Sequence, residues 1–185
     1  MGDTREALRQ WRLLADRNRA KPAEAERFFQ AMLRLAPGLA DDDAELAAWL
    51  FVAERRALTR PELDHLTALF ERTGRFDDGL RWLRERYTRI RDIELLARIA
   101  VLADRAGRPE DAIAAYTELL EQDDDNFPAL RGRADAYLNI GEHANAAADF
   151  KKALEVEPTE SGLLNNYAWV LATSPDDGVR DGKLA

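Results

Sequence analysis

Apolar residues along this chain recur at spacings of three and four, in runs separated by short polar breaks that carry glycine, proline or aspartate. That period puts them on one face of an α-helix with about 3.6 residues per turn. Alternating runs of Val, Ile and Thr are nearly absent, so strands have little to be built from. Taken from break to break, the pattern predicts ten helices, over residues 3–19, 22–36, 42–57, 60–73, 76–90, 93–106, 109–122, 127–140, 143–156 and 161–172. The chain is expected to be all-α.

One of the breaks repeats. Gly107-Arg108-Pro109-Glu110-Asp111-Ala112-Ile113 returns as Gly141-Glu142-His143-Ala144-Asn145-Ala146-Ala147, with the two glycines 34 residues apart. Gly74-Arg75-Phe76-Asp77-Asp78-Gly79-Leu80 lies 33 residues before the first of these, and Gly2-Asp3-Thr4-Arg5-Glu6-Ala7-Leu8 has the same form. Each copy sits between two amphipathic runs, so the unit is helix, glycine turn, helix.

In this the chain resembles the tetratricopeptide repeat, a 34-residue helix-turn-helix unit with small and aromatic residues at fixed offsets. The best copy runs over 127–160, with Leu130 where the family has Trp, small residues Ala134, Ala146 and Ala153, aromatics Tyr137 and Phe150, the turn Gly141 and the closing Pro158. The copy over 93–126 matches with Leu96, Ala100, Gly107, Ala112 and Tyr116, then departs with Leu119 and Asp124. The resemblance implies a right-handed superhelix, an α-solenoid of about five units and ten helices in one array over 1–185. Degenerate repeats are expected over 1–59, regular ones over 60–92, 93–126 and 127–160, and a truncated one over 161–185.

The residue types have a mechanical reason. Ala100 with Ala112, and Ala134 with Ala146, fall where the two helices of a unit cross, and larger side chains would push the axes apart. Tyr116, Tyr137 and Phe150 fill the wider gaps. Gly107 and Gly141 allow a positive φ. A unit leaves an apolar face bare unless another stacks on it. By phase the chain is expected to start on a second helix and end on a first one, baring Leu8, Trp11 and Leu14 at one end and Leu164, Tyr167 and Leu171 at the other. Self-association through those uncapped ends is the expectation.

Composition narrows the chemistry. Cysteine is absent, which removes disulfides, thiolate nucleophiles and cysteine-containing zinc sites. The longest strongly apolar stretch, Leu46 to Ala53, is far too short to span a bilayer, which needs about 20 residues. It is expected to be buried between units or to dock a partner. The net charge of −8 disfavours nucleic acid. A local exception is Arg81, Arg84, Arg86, Arg89 and Arg91, which read as a solvated face beside carboxylates such as Glu85, or as an anion-binding stripe. Before Asp123 the only lysine is Lys21, and after it lysines equal arginines, so drift between repeats and a junction between two sources both remain open.

No catalytic constellation is visible: His65 and His143 fall on different units, and Asp64-His65 lacks a nucleophile and an orienting group. Asp41-Asp42-Asp43 and Asp123-Asp124-Asp125 lack the alternating spacing of a calcium loop. An enzyme, a metal and a cofactor are not expected.

The resemblance implies instead a concave groove lined by the first helix of each unit. Carried over by position, its lining is Asp64, Ala68, Glu71 and Arg72, then Glu94, Ala97, Val101, Asp104 and Arg105, then Arg131, Asp135 and Asn139, then Asn165 and Trp169. Trp169 either binds a partner or packs on a further helix. A subset of the family grips a C-terminal carboxylate with Lys or Arg and Asn; Arg131 and Asn166 fall on two such positions, but Asp135 stands where the pattern has Asn. The expectation is a bacterial scaffold that receives a protein or peptide segment. A fainter resemblance, of residues 2–122 to the periplasmic repeat regions of exopolysaccharide export proteins, implies a polymer guide; an engineered or fused array is the third reading. Compartment is open between cytoplasm and periplasm, the latter following from the fainter resemblance.

Overall fold

The computed structural model describes residues 42–182 continuously, together with the isolated helical positions Gln10, Leu13, Arg27, Gln30 and Arg34. The described residues form eight α-helices and no strand: α1 (Asp42–Arg55), α2 (Arg60–Arg72), α3 (Phe76–Ile90), α4 (Ile93–Arg105), α5 (Pro109–Gln122), α6 (Phe127–Asn139), α7 (His143–Val156) and α8 (Ser161–Thr173). The count is eight where the sequence predicts ten. The helices expected over 3–19 and 22–36, and the Gly2 turn, lie outside the continuously described residues. Two compact units are formed, Met1–Arg75 and Phe76–Ala185.

In the first unit α1 packs on α2. Leu46, Ala48, Phe51, Val52 and Ala53 are buried, so the apolar run on α1 is core and not a docking patch. The N-terminus of α2 is closed by Glu62, whose carboxylate accepts from the Thr59 backbone N–H at 2.9 Å and from both Nη groups of Arg56 at 2.8 and 2.6 Å. Those bonds hold the Glu62 carboxyl down at about 2, the Arg56 bond being the largest cause.

In the second unit each helix packs on the next in sequence, and α4 also meets α6, two helices on. That is how helical pairs stack when each covers the apolar face of its neighbour. Ala100, Ala112, Ala134, Ala146, Phe150 and Ala153 have no exposed surface. The repeated glycine is needed for its backbone: Gly74, Gly107 and Gly141 have φ of 67°, 67° and 78°. At each, the glycine N–H and the next N–H turn back to two carbonyls of the ending helix, as Gly107 to Asp104 at 3.0 Å and Arg108 to Ala103 at 2.9 Å. This left-handed helix stop is the same in all three copies.

A fourth glycine matters for space. On α6, a Cβ at Gly132 would lie 2.3 Å from Cζ and 2.5 Å from the hydroxyl oxygen of Tyr116, so the Tyr116 ring lies directly on the α6 backbone. Replacing Gly132 by alanine should gain about 1 kcal/mol in helix propensity and lose about 1–3 kcal/mol by overpacking. The expected net loss is about 1 kcal/mol in a urea melt, abolished when Tyr116 is first replaced by leucine. A stabilised G132A with Tyr116 in place would contradict this packing.

Candidate functional site

On α2, Asp64 is exposed and Ala68 and Glu71 are half-buried, but Arg72 is committed to its own unit. Its guanidinium grips Asp42 with two bonds, Nε to Oδ2 at 3.1 Å and Nη2 to Oδ1, and reaches Glu45 at 3.7 Å. The hydrogen bond from Arg72 holds the Asp42 carboxyl below its ordinary range. His65 pairs with the buried Glu45 at 2.7 Å and meets the Trp49 ring edge-on at 5.8 Å, instead of forming a dyad with Asp64.

In the second unit the first helices α4, α6 and α8 each present an accessible stripe opposite a buried one. On α4 it is Glu94, Ala97, Val101, Asp104 and Arg105, with Val101 41% exposed, while Leu95, Leu96, Ile99, Ala100, Leu102 and Ala103 are buried. On α6 it is Arg131, Asp135 and Asn139 against buried Ala129, Leu130, Ala134 and Ala136. On α8 it is Asn165 and Trp169 against Leu163, Val170 and Leu171. Spacings of three and four keep each stripe on one side of its helix.

Asp104 and Asp135 are close enough to feel each other. Burial pushes both carboxyls above their ordinary range; for Asp135 the Asp104 charge adds to this, while Arg131 and the hydrogen bond from Asn166 pull it down. That bond, from Asn166 Nδ2 to Asp135 Oδ1, is 3.3 Å long and ties α8 to α6. A raised folded-state pKa means that the contribution of these carboxyls to folding is fully present below their ordinary 3.8 and is lost as pH rises through the raised values. At neutral pH both charges are held at a cost to stability.

Trp169 is 54% exposed and stacks on His143, the first residue of α7, at 6.4 Å between centroids and 29° between planes. The buried Nδ1 of His143 has no hydrogen-bond partner among the described residues. His143 is thus half-buried beneath Trp169, not the exposed helix-start residue that its place after a turn glycine suggests.

The arginines of α3 do not form a bare stripe. Arg84 pairs with Asp111 at 2.6 Å, Arg91 with Glu118 at 3.1 Å and Arg81 with Asp78 at 3.5 Å. Arg86 lies 4.4 Å over the Trp82 ring, and Arg89 is exposed. Arg91 also caps α3 in the left-handed region, with φ 50°. Lys152 ties the Asp124 and Asp125 turn to α7 at 2.9 and 3.6 Å. Among the described residues no group of three His, Cys, Asp or Glu could hold a metal ion, and no helix is long and apolar enough to cross a membrane.

Stacked helical pairs with left-handed glycine turns and accessible first helices define a helical-repeat fold. The chain belongs to the tetratricopeptide repeat family, whose profile matches residues 1–181. Proteins of this family generally mediate protein–protein interactions. Among solved structures, the chain is similar to MamA protein, with TM-score 0.62 and 15% identity over 80% of this chain and 81% of that one. It is also similar to a tetratricopeptide repeat protein from Parabacteroides merdae, with TM-score 0.62 and 19% identity over 77% and 58%. Protein SGT1 homolog of Bos taurus is 35% identical over 75 residues, 35% of this chain; the match spans 22% of that protein's length. These relatives lend no support to the exopolysaccharide resemblance.

Proposed function

We propose that the chain is a non-enzymatic scaffold that receives an extended or helical segment of another protein on the accessible face of α4, α6 and α8. The observation that carries this reading is the half-exposed Trp169, a large ring held in place by His143 and open to a ligand on its other side. Large aromatics with one face free dominate the energetics of protein recognition. Glu94, Ala97, Val101, Arg105, Arg131, Asn139 and Asn165 are the surrounding contacts, and Asp64, Ala68, Glu71 and Arg72 supply the corresponding face of the first unit, Arg72 only through its Asp42 pair. The polymer-guide alternative draws on the arginines of α3, and the pairing of Arg84 and Arg91 with carboxylates weakens it.

The test is selection of linear peptides from a random library displayed on phage, using the full chain as bait. Replacing Trp169 by alanine should weaken the selected peptides by about tenfold or more in calorimetry, as expected for an aromatic anchor, and leave the melting temperature nearly unchanged. Peptides that bind W169A as tightly as the parent would remove this face as the receptor.

A further inference from the structure

Two carboxylates on the accessible face differ from those that tie the second unit together. Asp111, Glu118, Asp124 and Asp149 are each matched by a cation distant in sequence: Arg84, Arg91, Lys152 and Arg133. Asp104 and Asp135 are not: Arg105 and Arg131 lower their pKa values only by longer-range attraction, and neither aspartate forms an ion pair among the described residues. Two half-buried carboxylates on α4 and α6 thus feel each other's charge, neither matched by a cation among the described residues.

A third group opens at the same place. Tyr116, on α5, is 6% exposed as a whole, and its hydroxyl oxygen, which bonds to none of the described residues, is not fully covered. Its ring end lies on the α6 backbone at Gly132, one helical turn before Asp135. Both Asp104 and Asp135 act on the phenol and, after burial, help to push its pKa up to about 12. The hydroxyl therefore stays protonated at neutral pH and keeps its oxygen lone pairs free. Like charges held partly out of water without a partner are costly. One cationic ligand would neutralise both carboxylates and use the phenol oxygen as a third acceptor.

We propose that Asp104, Asp135 and the Tyr116 hydroxyl form a seat for the cationic head of a Lys or Arg side chain carried by the partner segment. The match is chemical. An ammonium presents three N–H donors and no acceptor, and a guanidinium presents a fork of donors; here two carboxylates and a phenol oxygen offer acceptors from three helices. Val101, one turn before Asp104 and 41% exposed, offers apolar surface for the aliphatic stem of such a side chain. Asn166 holds Asp135 in place, so the position that a carboxylate-gripping relative would fill with Asn here repels an anion and attracts a cation.

The proposal rests on the groove reading above, and the same selected peptides separate the two. They should share a Lys or Arg, and its replacement by norleucine should weaken binding by about tenfold or more, as for a buried charge pair deprived of one partner. D104N and D135N should each cause a loss of the same size while melting at or above the parent temperature, since removing either charge relieves burial. Y116F, which keeps the ring, should weaken binding by a few fold. In the D104N/D135N double variant, the norleucine substitution should have no further effect. Peptides that depend on Trp169 but carry no cation, or bind D104N/D135N unchanged, would overturn the seat and leave the groove standing. Peptides indifferent to Trp169 and to both aspartates would overturn both.

Discussion

Replacing Phe150 by alanine is expected to destabilise the Phe76–Ala185 unit by about 3–5 kcal/mol, the largest single loss of any substitution considered. Phe150 lies on α7 with no exposed surface, and α7 packs on α6 on one side and on α8 on the other. Removing the ring takes away its transfer free energy and leaves a cavity that three helices cannot all close around. Because each pair in a stack is stabilised by its neighbours, the loss should spread beyond α7. Small domains have stabilities of about 5–15 kcal/mol, so F150A should shift a urea transition followed by far-UV circular dichroism to much lower denaturant, whereas F150L should cost less than about 1.5 kcal/mol. A loss below about 1 kcal/mol for F150A would mean that the ring is not shared between the pairs.

Phe150 was legible because its role depends on type and offset alone. The same holds for the helices: over 76–90, 109–122 and 143–156 the apolar period and the breaks give the observed limits, since Pro109 can only open a helix and the turn glycines can only close one. Elsewhere the ends differ by one or two residues. α1, for example, starts at Asp42 as expected but stops at Arg55 and not at 57.

The site was legible in part. Position in the repeat places Val101, Asp104, Asp135 and Trp169 on accessible faces, but pairings between helices leave no trace in spacing. Arg72 reads as a groove residue and serves as a strut to Asp42; Arg84 and Arg91 read as an anion stripe and reach Asp111 and Glu118, 27 residues on in each case. Tyr116 reads only as a gap-filler. What makes its hydroxyl chemically distinct is Gly132, 16 residues later, and a glycine within a helix period is the signal that could have pointed to a close approach at that level. His143 beneath Trp169 could not be found this way, because a helix-start histidine has the same sequence whether or not a ring covers it.

Replacing Asp149 by alanine is the second large expected loss, and its logic is electrostatic. Arg133 on α6 donates from Nε and Nη2 to the Asp149 carboxylate on α7 at 2.7 and 2.8 Å, and from Nη1 to Thr117 Oγ1 on α5 at 3.1 Å. The Arg133 side chain is 19% exposed and that of Asp149 10%, so the pair is largely withdrawn from water where three helices meet. The bond to Asp149 is the main reason that the guanidinium is held above its ordinary pKa, and D149A would leave it without a carboxylate, with only the Thr117 hydroxyl and the Tyr137 ring beside it. Removing one member of a buried pair costs about 3–5 kcal/mol; the residual exposure of Arg133 puts the expectation at the lower end, about 3 kcal/mol. Replacing both, as R133M/D149L, should recover most of that loss, because two apolar side chains of similar length carry no desolvation penalty. A double-mutant cycle by urea denaturation would measure this: a loss in the double variant equal to the sum of the two single losses would show that the two groups act independently, and that the contact between α6 and α7 is held by the alanine and phenylalanine packing.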